Sequence, residues 1–257
     1  MKIRDKTIII TGAARGIGAA LARALDRHAP KAMTLLDLDP VLLEKVAANL
    51  DCSCIHIGKC DVADPGSLGP FVSRMEAEFG GVDLFCANAG VFLNGGENVG
   101  LDVWDKALHV NVMSHVYAAR ACLPGMLRKG RGYFLHTVSA AGLLSQIGSA
   151  PYTVSKHGAL AFAEWLAITY GDQGIGVTAL CPQGVDTPML QDVGMVNSVA
   201  GDGLLSAEAV AACAIDAIAE ERFLALPHPQ VKDYFLRKAQ DHDRWLRGMQ
   251  RLKKTLE

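Results

Sequence analysis

Short apolar runs alternate with longer helix-periodic stretches along the whole chain, and this alternation narrows the possible folds more than any other feature. "TIIITG", "AMTLLD", "SCIHIG", "VDLFCANAG", "YFLHTVS", "GVTALCP" and "RFLALP" read as seven strands. Between them "IGAALARALDRHA", "PVLLEKVAANL", "GSLGPFVSRMEAEF", "DVWDKALHVNVMSHVYAARACLPGMLRK", "PYTVSKHGALAFAEWLAITYGDQ" and "SAEAVAACAIDAIAEE" carry helical periodicity. Such repetition predicts an α/β fold: a parallel sheet of about seven strands flanked by helices on both faces. Right-handed crossovers make it doubly wound, of the Rossmann type. No repeat, low-complexity tract or linker divides the chain, so residues 1–257 are expected to form one domain with a helical extension from about Pro227. In such sheets ligands bind beyond the carboxyl ends of the strands. Gly12, Asp37, Asp61, Asn88, Ser139 and Pro182 fall at those ends.

Composition excludes some classes. A net charge of −2 offers no basic excess to neutralise phosphates, so nucleic acid is not an expected partner. The opening "MKIRDKTIII" has too short an apolar run for a signal-peptide core or a membrane span. The expectation is a cytoplasmic, soluble protein with no integral membrane association, whose 7 cysteines are reduced thiols. "CSCIHIGKC" offers Cys52, Cys54, His56 and Cys60, but a second cysteine pair is missing, and the alternation is also that of a strand with two unlike faces. No metal is expected.

The first strand runs into Gly12-x-x-x-Gly16-x-Gly18 and then a helix. Gly12 suits a tight turn, Gly16 a close backbone approach to pyrophosphate, and Gly18 close packing of helix on strand. The helix N-terminus, with Arg15 and Ile17 in the same loop, presents N–H groups to anionic phosphate. The spacing is not Gly-x-Gly-x-x-Gly. Asp37, at the end of the second strand, can hold both ribose hydroxyls of an adenosine and repels a 2′-phosphate, which argues for NAD. Arg15 pulls the other way, since a guanidinium pairs with that phosphate, so NADP stays possible.

A second constellation opens the sixth helical pattern. Tyr152 and Lys156 stand four positions apart and share a helix face. A free phenol titrates near ~10, and a neighbouring ammonium lowers that value, so the pair can supply a general base.

Together these residues resemble the short-chain dehydrogenase/reductase family, in its compact single-domain form, over almost the whole chain. "TGAARGIG" resembles its cofactor loop. "CDVAD" resembles its adenine-contacting element, here Asp61 and Val62, and "NAG" its fourth-strand element, here Asn88, Ala89 and Gly90. "NVMS" carries Asn111, and Ser139 precedes the "YTVSK" of Tyr152 and Lys156. The resemblance implies a nicotinamide cofactor, no metal, and a homodimer or homotetramer. It implies that Tyr152 is the acid/base, that Lys156 lowers the phenol pKa and holds the nicotinamide ribose, and that Ser139 orients the substrate oxygen. Asn111 would interrupt its helix and hold a water linked to the lysine. After the sixth strand the family has Pro-Gly-x-x-x-Thr, whereas this chain reads "PQGVDTP". Pro182, Val185 and Thr187 keep register, the last two as contacts of the nicotinamide carboxamide, while Gln183 replaces the glycine.

His109 and His115 flank Asn111 as helix-face residues, Cys86 and Cys181 read as core, and Asp102 and Asp105 suit a helix start. Loops after the strands supply Leu143, Leu144, Ile147, Met189, Leu190 and Met195 without arginine or lysine, which suits an apolar small molecule. Glycines in the 194–203 stretch suggest a mobile lid. In the tail, Phe235 and Ala239, then Trp245, Met249 and Leu252, fall at helical spacing with basic residues between. Packing at an interface or over the active site is favoured above a membrane-surface helix, because Asp233, Asp241 and Asp243 interrupt the basic face. The expected activity is interconversion of an apolar secondary alcohol and its ketone, with Asn111, Ser139, Tyr152 and Lys156 as the catalytic set. The alternatives are an NADPH-dependent carbonyl reductase and a nicotinamide-binding redox-sensing regulatory protein without turnover, against which retention of all four residues argues.

Overall fold

The computed structural model describes residues 1–193 and 202–256. Gly194 and Met195, assigned above to a substrate lid, lie outside the described residues. All seven expected strands form. They are β1 (Thr7–Thr11), β2 (Ala32–Asp37), β3 (Ile55–Lys59), β4 (Leu84–Ala87), β5 (Gly132–Thr137), β6 (Ile175–Leu180) and, after a short pair, β9 (Leu224–Ala225). The sheet order is β3-β2-β1-β4-β5-β6-β9 with every neighbour parallel. Strand order reverses between β1 and β4, which opens a crevice above their carboxyl ends.

Each inner strand feeds two cores. In β1, Ile8 and Ile10 face the core of α1 (Gly16–Asp26), while Ile9 faces the opposite one. Leu84 and Cys86 against Phe85, and Leu135 against Phe134, divide in the same way. Burial on both sides is why these runs are continuously apolar rather than alternating. Each fully buried aliphatic or aromatic side chain contributes roughly 1.5–3 kcal/mol.

The remaining helices are α2 (Pro40–Ala47), α3 (Gly69–Phe79), α4 (Leu101–Leu108), α5 (Ser114–Lys129) and α6 (Ala150–Tyr170). Then come β7 (Val185–Asp186), α7 (Pro188–Val193), β8 (Leu205–Ser206), paired in parallel with β7, and α8 (Ala207–Ala219). The tail forms α9 (Gln230–Gln240) and α10 (His242–Leu256). The long pattern around Asn111 is broken: a π-type turn over His109–Met113 separates α4 from α5. Ser149 caps α6, its Oγ accepting from the Tyr152 N–H at 3.3 Å, and so sets Tyr152 in the first turn. Among the described residues no helix is long and apolar enough to cross a membrane.

Candidate active site

The glycine loop is shaped by what a side chain would strike. Gly12 and Gly16 adopt φ of +65° and +54°, the left-handed region. A Cβ on Gly18 would lie 1.9 Å from the Gly12 carbonyl oxygen, so helix and strand approach there as closely as glycine allows. Arg15 precedes the helix in extended conformation, and neither a side-chain cap nor a first-turn acid occupies the α1 N-terminus. Its free N–H groups favour an anion. Asn88 supports this loop from β4: its Nδ2 donates to the Thr11 and Gly12 carbonyls at 3.1 and 3.2 Å, and its Oδ1 accepts from the Thr137 hydroxyl at 3.0 Å. The Thr11 hydroxyl oxygen accepts in turn from the Asn88 and Ala89 N–H groups.

Asp37 ends β2 with its carboxylate accepting from the N–H groups of Ala14 (3.0 Å), Leu38 (2.7 Å) and Asp39 (3.3 Å). Arg15 shares its end of the cavity and, among the described residues, makes no ion pair. Asp61 accepts from the Ala63 N–H at 2.9 Å, and Val62 is buried beside it.

The cleft holds a cavity of about 1230 Å³, large enough for a dinucleotide and a small molecule together. Its wall includes Gly12, Arg15, Gly16, Ile17, Gly18, Asp37, Asp61, Val62, Asn88, Ala89 and Gly90. Ser139, Tyr152, Lys156, Pro182, Val185 and Thr187 complete it, so every expected cofactor contact meets one space. Asn111 does not line it. Fully buried, it lies behind Gly90, where a glycine Cβ would come within 3.3 Å of its Oδ1 and 3.5 Å of the Lys156 Nζ. These features fit a nicotinamide dinucleotide: an anion-ready helix start, a carboxylate at the ribose end and a strand-end cradle.

Ser139 Oγ accepts from the Ala141 N–H at 3.1 Å and only loosely approaches the Pro182 carbonyl, at 3.5 Å, so its proton can turn to a ligand. Lys156 Nζ donates to the Thr137 carbonyl at 3.1 Å and lies 5.6 Å from the Tyr152 ring centroid. Phe92 packs on the other ring, centroids 4.4 Å apart. Burial changes the expected electrostatics. It pushes the Tyr152 phenol above its usual value, with the Ser139 hydrogen bond pulling it back, and pushes Lys156 down to about 8. Against the lowering expected from a nearby ammonium, desolvation is the largest influence on both groups.

Other expectations are revised too. His109 is a helix-face residue, but His115 is buried against His136 of β5, the rings stacked at 4.8 Å. His56 pairs with Glu78 at 3.0 Å, and among the described residues no group of three potential ligands gathers. Leu144, Met189 and Leu190 line the cavity, whereas Leu143 enters the core. Gln183 donates its backbone N–H to His228 Nδ1 at 3.2 Å, and among the described residues its buried Oε1 has no partner. In the tail, Phe235 and Ala239 face outward. Val231 is buried instead, and Tyr234, Arg237, Trp245, Met249 and Leu252 line the cavity. Sequence reasoning missed Thr137, Phe92 and Arg237. Thr137 stands two residues before Ser139 and was readable as a strand end, while the other two carried no local signal.

Fold and cleft together define an α/β oxidoreductase of the dinucleotide-binding class. A family model described as short chain dehydrogenase matches residues 6–196, and the chain belongs to the short-chain dehydrogenase/reductase family. It is 34% identical over 229 residues to a 1-deoxy-11-beta-hydroxypentalenate dehydrogenase of Streptomyces exfoliatus, covering 87% of this chain and 83% of that one. It is 29% identical over 191 residues to a D-beta-hydroxybutyrate dehydrogenase of Rhizobium meliloti, covering 72% and 74%. A short-chain dehydrogenase/reductase from Burkholderia phymatum, solved in complex with NAD, superposes with a TM-score of 0.85 at 26% identity, over 95% of this chain and 96% of that one.

Proposed function

We propose that the chain is an NAD-linked dehydrogenase that interconverts a secondary alcohol and its ketone on an apolar small molecule. One observation carries the reading: a single cavity has Asp37 at one end and Ser139, Tyr152 and Lys156 at the other. Relatives named for hydroxylated substrates support it.

When bound, the nicotinamide accepts or supplies hydride. The chain's own groups do the rest. In oxidation the Tyr152 oxygen takes the substrate hydroxyl proton, and in reduction the phenol returns it. Ser139 donates to the same substrate oxygen and fixes its orientation. Lys156, with an ammonium lost as pH rises through about 8, stabilises the phenolate and is aimed by Thr137. Asn111 is a positioning residue, holding the chain beside Gly90 through Val91. Asp37 favours NAD by repelling a 2′-phosphate.

Parallel titration with NADH and NADPH, following nicotinamide fluorescence, tests this, followed by a screen of apolar secondary alcohols. Tighter NADH binding and NAD-linked oxidation are expected. Tighter NADPH binding would mean that Arg15 outweighs Asp37 and the enzyme is a carbonyl reductase. Binding of neither would end the cofactor reading.

A further inference from the structure

The C-terminal helices bring to the cavity a cation that the substrate loops lack. Arg237 of α9 lines it beside Tyr234, Trp245 and Met249. Its guanidinium stands 5.8 Å from the Tyr234 ring centroid, an arrangement that orients the charge without neutralising it. Among the described residues Arg237 makes no ion pair. Asp202, in the same wall, accepts from the Tyr234 hydroxyl at 2.9 Å, and Asp241, which shares a neighbouring pocket with Arg237, accepts from the Arg244 N–H at 2.9 Å.

The position is fixed by the next residue. Lys238 Nζ donates to the Leu143 and Leu144 carbonyls at 2.8 and 3.0 Å, which joins α9 to the loop just after Ser139. Arg237 is therefore held at the substrate side. Asp37, at the adenosine end, belongs to β2, and β1 and β4 stand between β2 and β5. Three strand spacings amount to about 14 Å. The cavity that Ser139 and Arg237 share is also lined by Leu144, Met189, Leu190 and Leu252.

We propose that Arg237 binds a carboxylate of the substrate, so that the substrate class is an apolar hydroxy acid whose alcohol and carboxylate lie at opposite ends of an apolar body; this rests on the dehydrogenase reading above. A planar guanidinium matches a carboxylate with two parallel hydrogen bonds, which a lysine ammonium cannot reproduce. Lys106 of α4 also reaches the cavity and serves as the control cation.

The test compares octanoate with neutral octanamide by titration calorimetry on the wild type, Arg237→Gln, Arg237→Lys and Lys106→Gln, each with and without NADH. The wild type should bind octanoate about tenfold tighter than octanamide, the strength of one charge-assisted contact. Arg237→Gln should lose that preference at unchanged melting temperature and NADH affinity. Arg237→Lys should retain part of it, and Lys106→Gln all of it. Equal binding of the two probes, binding of neither, or a preference that survives in Arg237→Gln would overturn the proposal. Octanoate binding is read whether or not NADH binds, so failure of the anion site and failure of the cofactor reading are separate results.

Discussion

Asn111 and Val91 exchange two hydrogen bonds: the side-chain Oδ1 accepts from the Val91 N–H at 2.9 Å, and Nδ2 donates to the Val91 carbonyl at 2.9 Å. A side-chain amide thereby plays the part of a neighbouring strand for the segment leaving β4. Its Nδ2 also donates to Ser155 Oγ at 3.0 Å, tying the π-type turn to α6 between Tyr152 and Lys156. Asn111→Ala leaves these partners without their bonds and should lower stability by about 2 kcal/mol, measurable by urea denaturation. Turnover should fall further than stability explains, because Gly90 and Lys156 lie against the same amide.

Tyr152→Phe removes the phenol proposed above to carry the proton and leaves the packing on Phe92. Turnover should fall by at least about a thousandfold, within the range expected for general acid–base catalysis plus lost orientation. NADH affinity, followed by nicotinamide fluorescence, should stay within about twofold. Full activity in this variant would sink the mechanism.

Asp37→Ser removes the carboxylate facing the ribose end while Arg15 stays in place. The ratio of NADPH to NADH dissociation constants should drop by about tenfold or more, equal to ~1.4 kcal/mol. Parallel titrations of the variant and the parent measure it. An unchanged ratio would remove Asp37 from cofactor selection.

Acid should destabilise the protein through the His115–His136 pair. Burial lowers His136 to about 3; burial, then His136 and Lys156, lower His115 well below its usual value. Unfolded, both titrate near ~6.5, so the unfolded chain binds more protons below that pH. The pair's contribution is complete above ~6.5 and is lost as pH falls toward 3, by up to about 1.4 kcal/mol per pH unit for each imidazole. Among the described residues neither Nε2 has a partner, so the double variant His115→Leu, His136→Phe should fold and show a flatter stability profile between pH 6 and 4.5. Urea denaturation across that range decides it.

The seven strands were legible because each is a local apolar run closed by a turn signal, and burial on both faces leaves little ambiguity in such runs. The places of Gly12, Gly18, Asp37 and Tyr152 in the cleft were legible because they depend on short spacing and on strand ends. What stayed hidden depends on encounters distant in the chain. His115 and His136 meet across α5 and β5, and nothing beside either residue announces the other. The face that α9 turns inward was misread, since helical spacing finds stripes but the Lys238 contacts and buried Val231 decide which stripe packs. The desolvation of the Tyr152 phenol stayed hidden because burial is a property of the assembled cleft.

Lys238 spans the chain from position 238 to the carbonyls at 143 and 144. Anyone re-engineering the substrate range should treat the post-Ser139 loop and the tail helix as one cassette. A graft of either alone would strand two carbonyls or a lysine and leave the recipient with a loosened doorway. Transplanted together they carry their own fastening, and the rest of the matched span of residues 6–196 can remain the chassis.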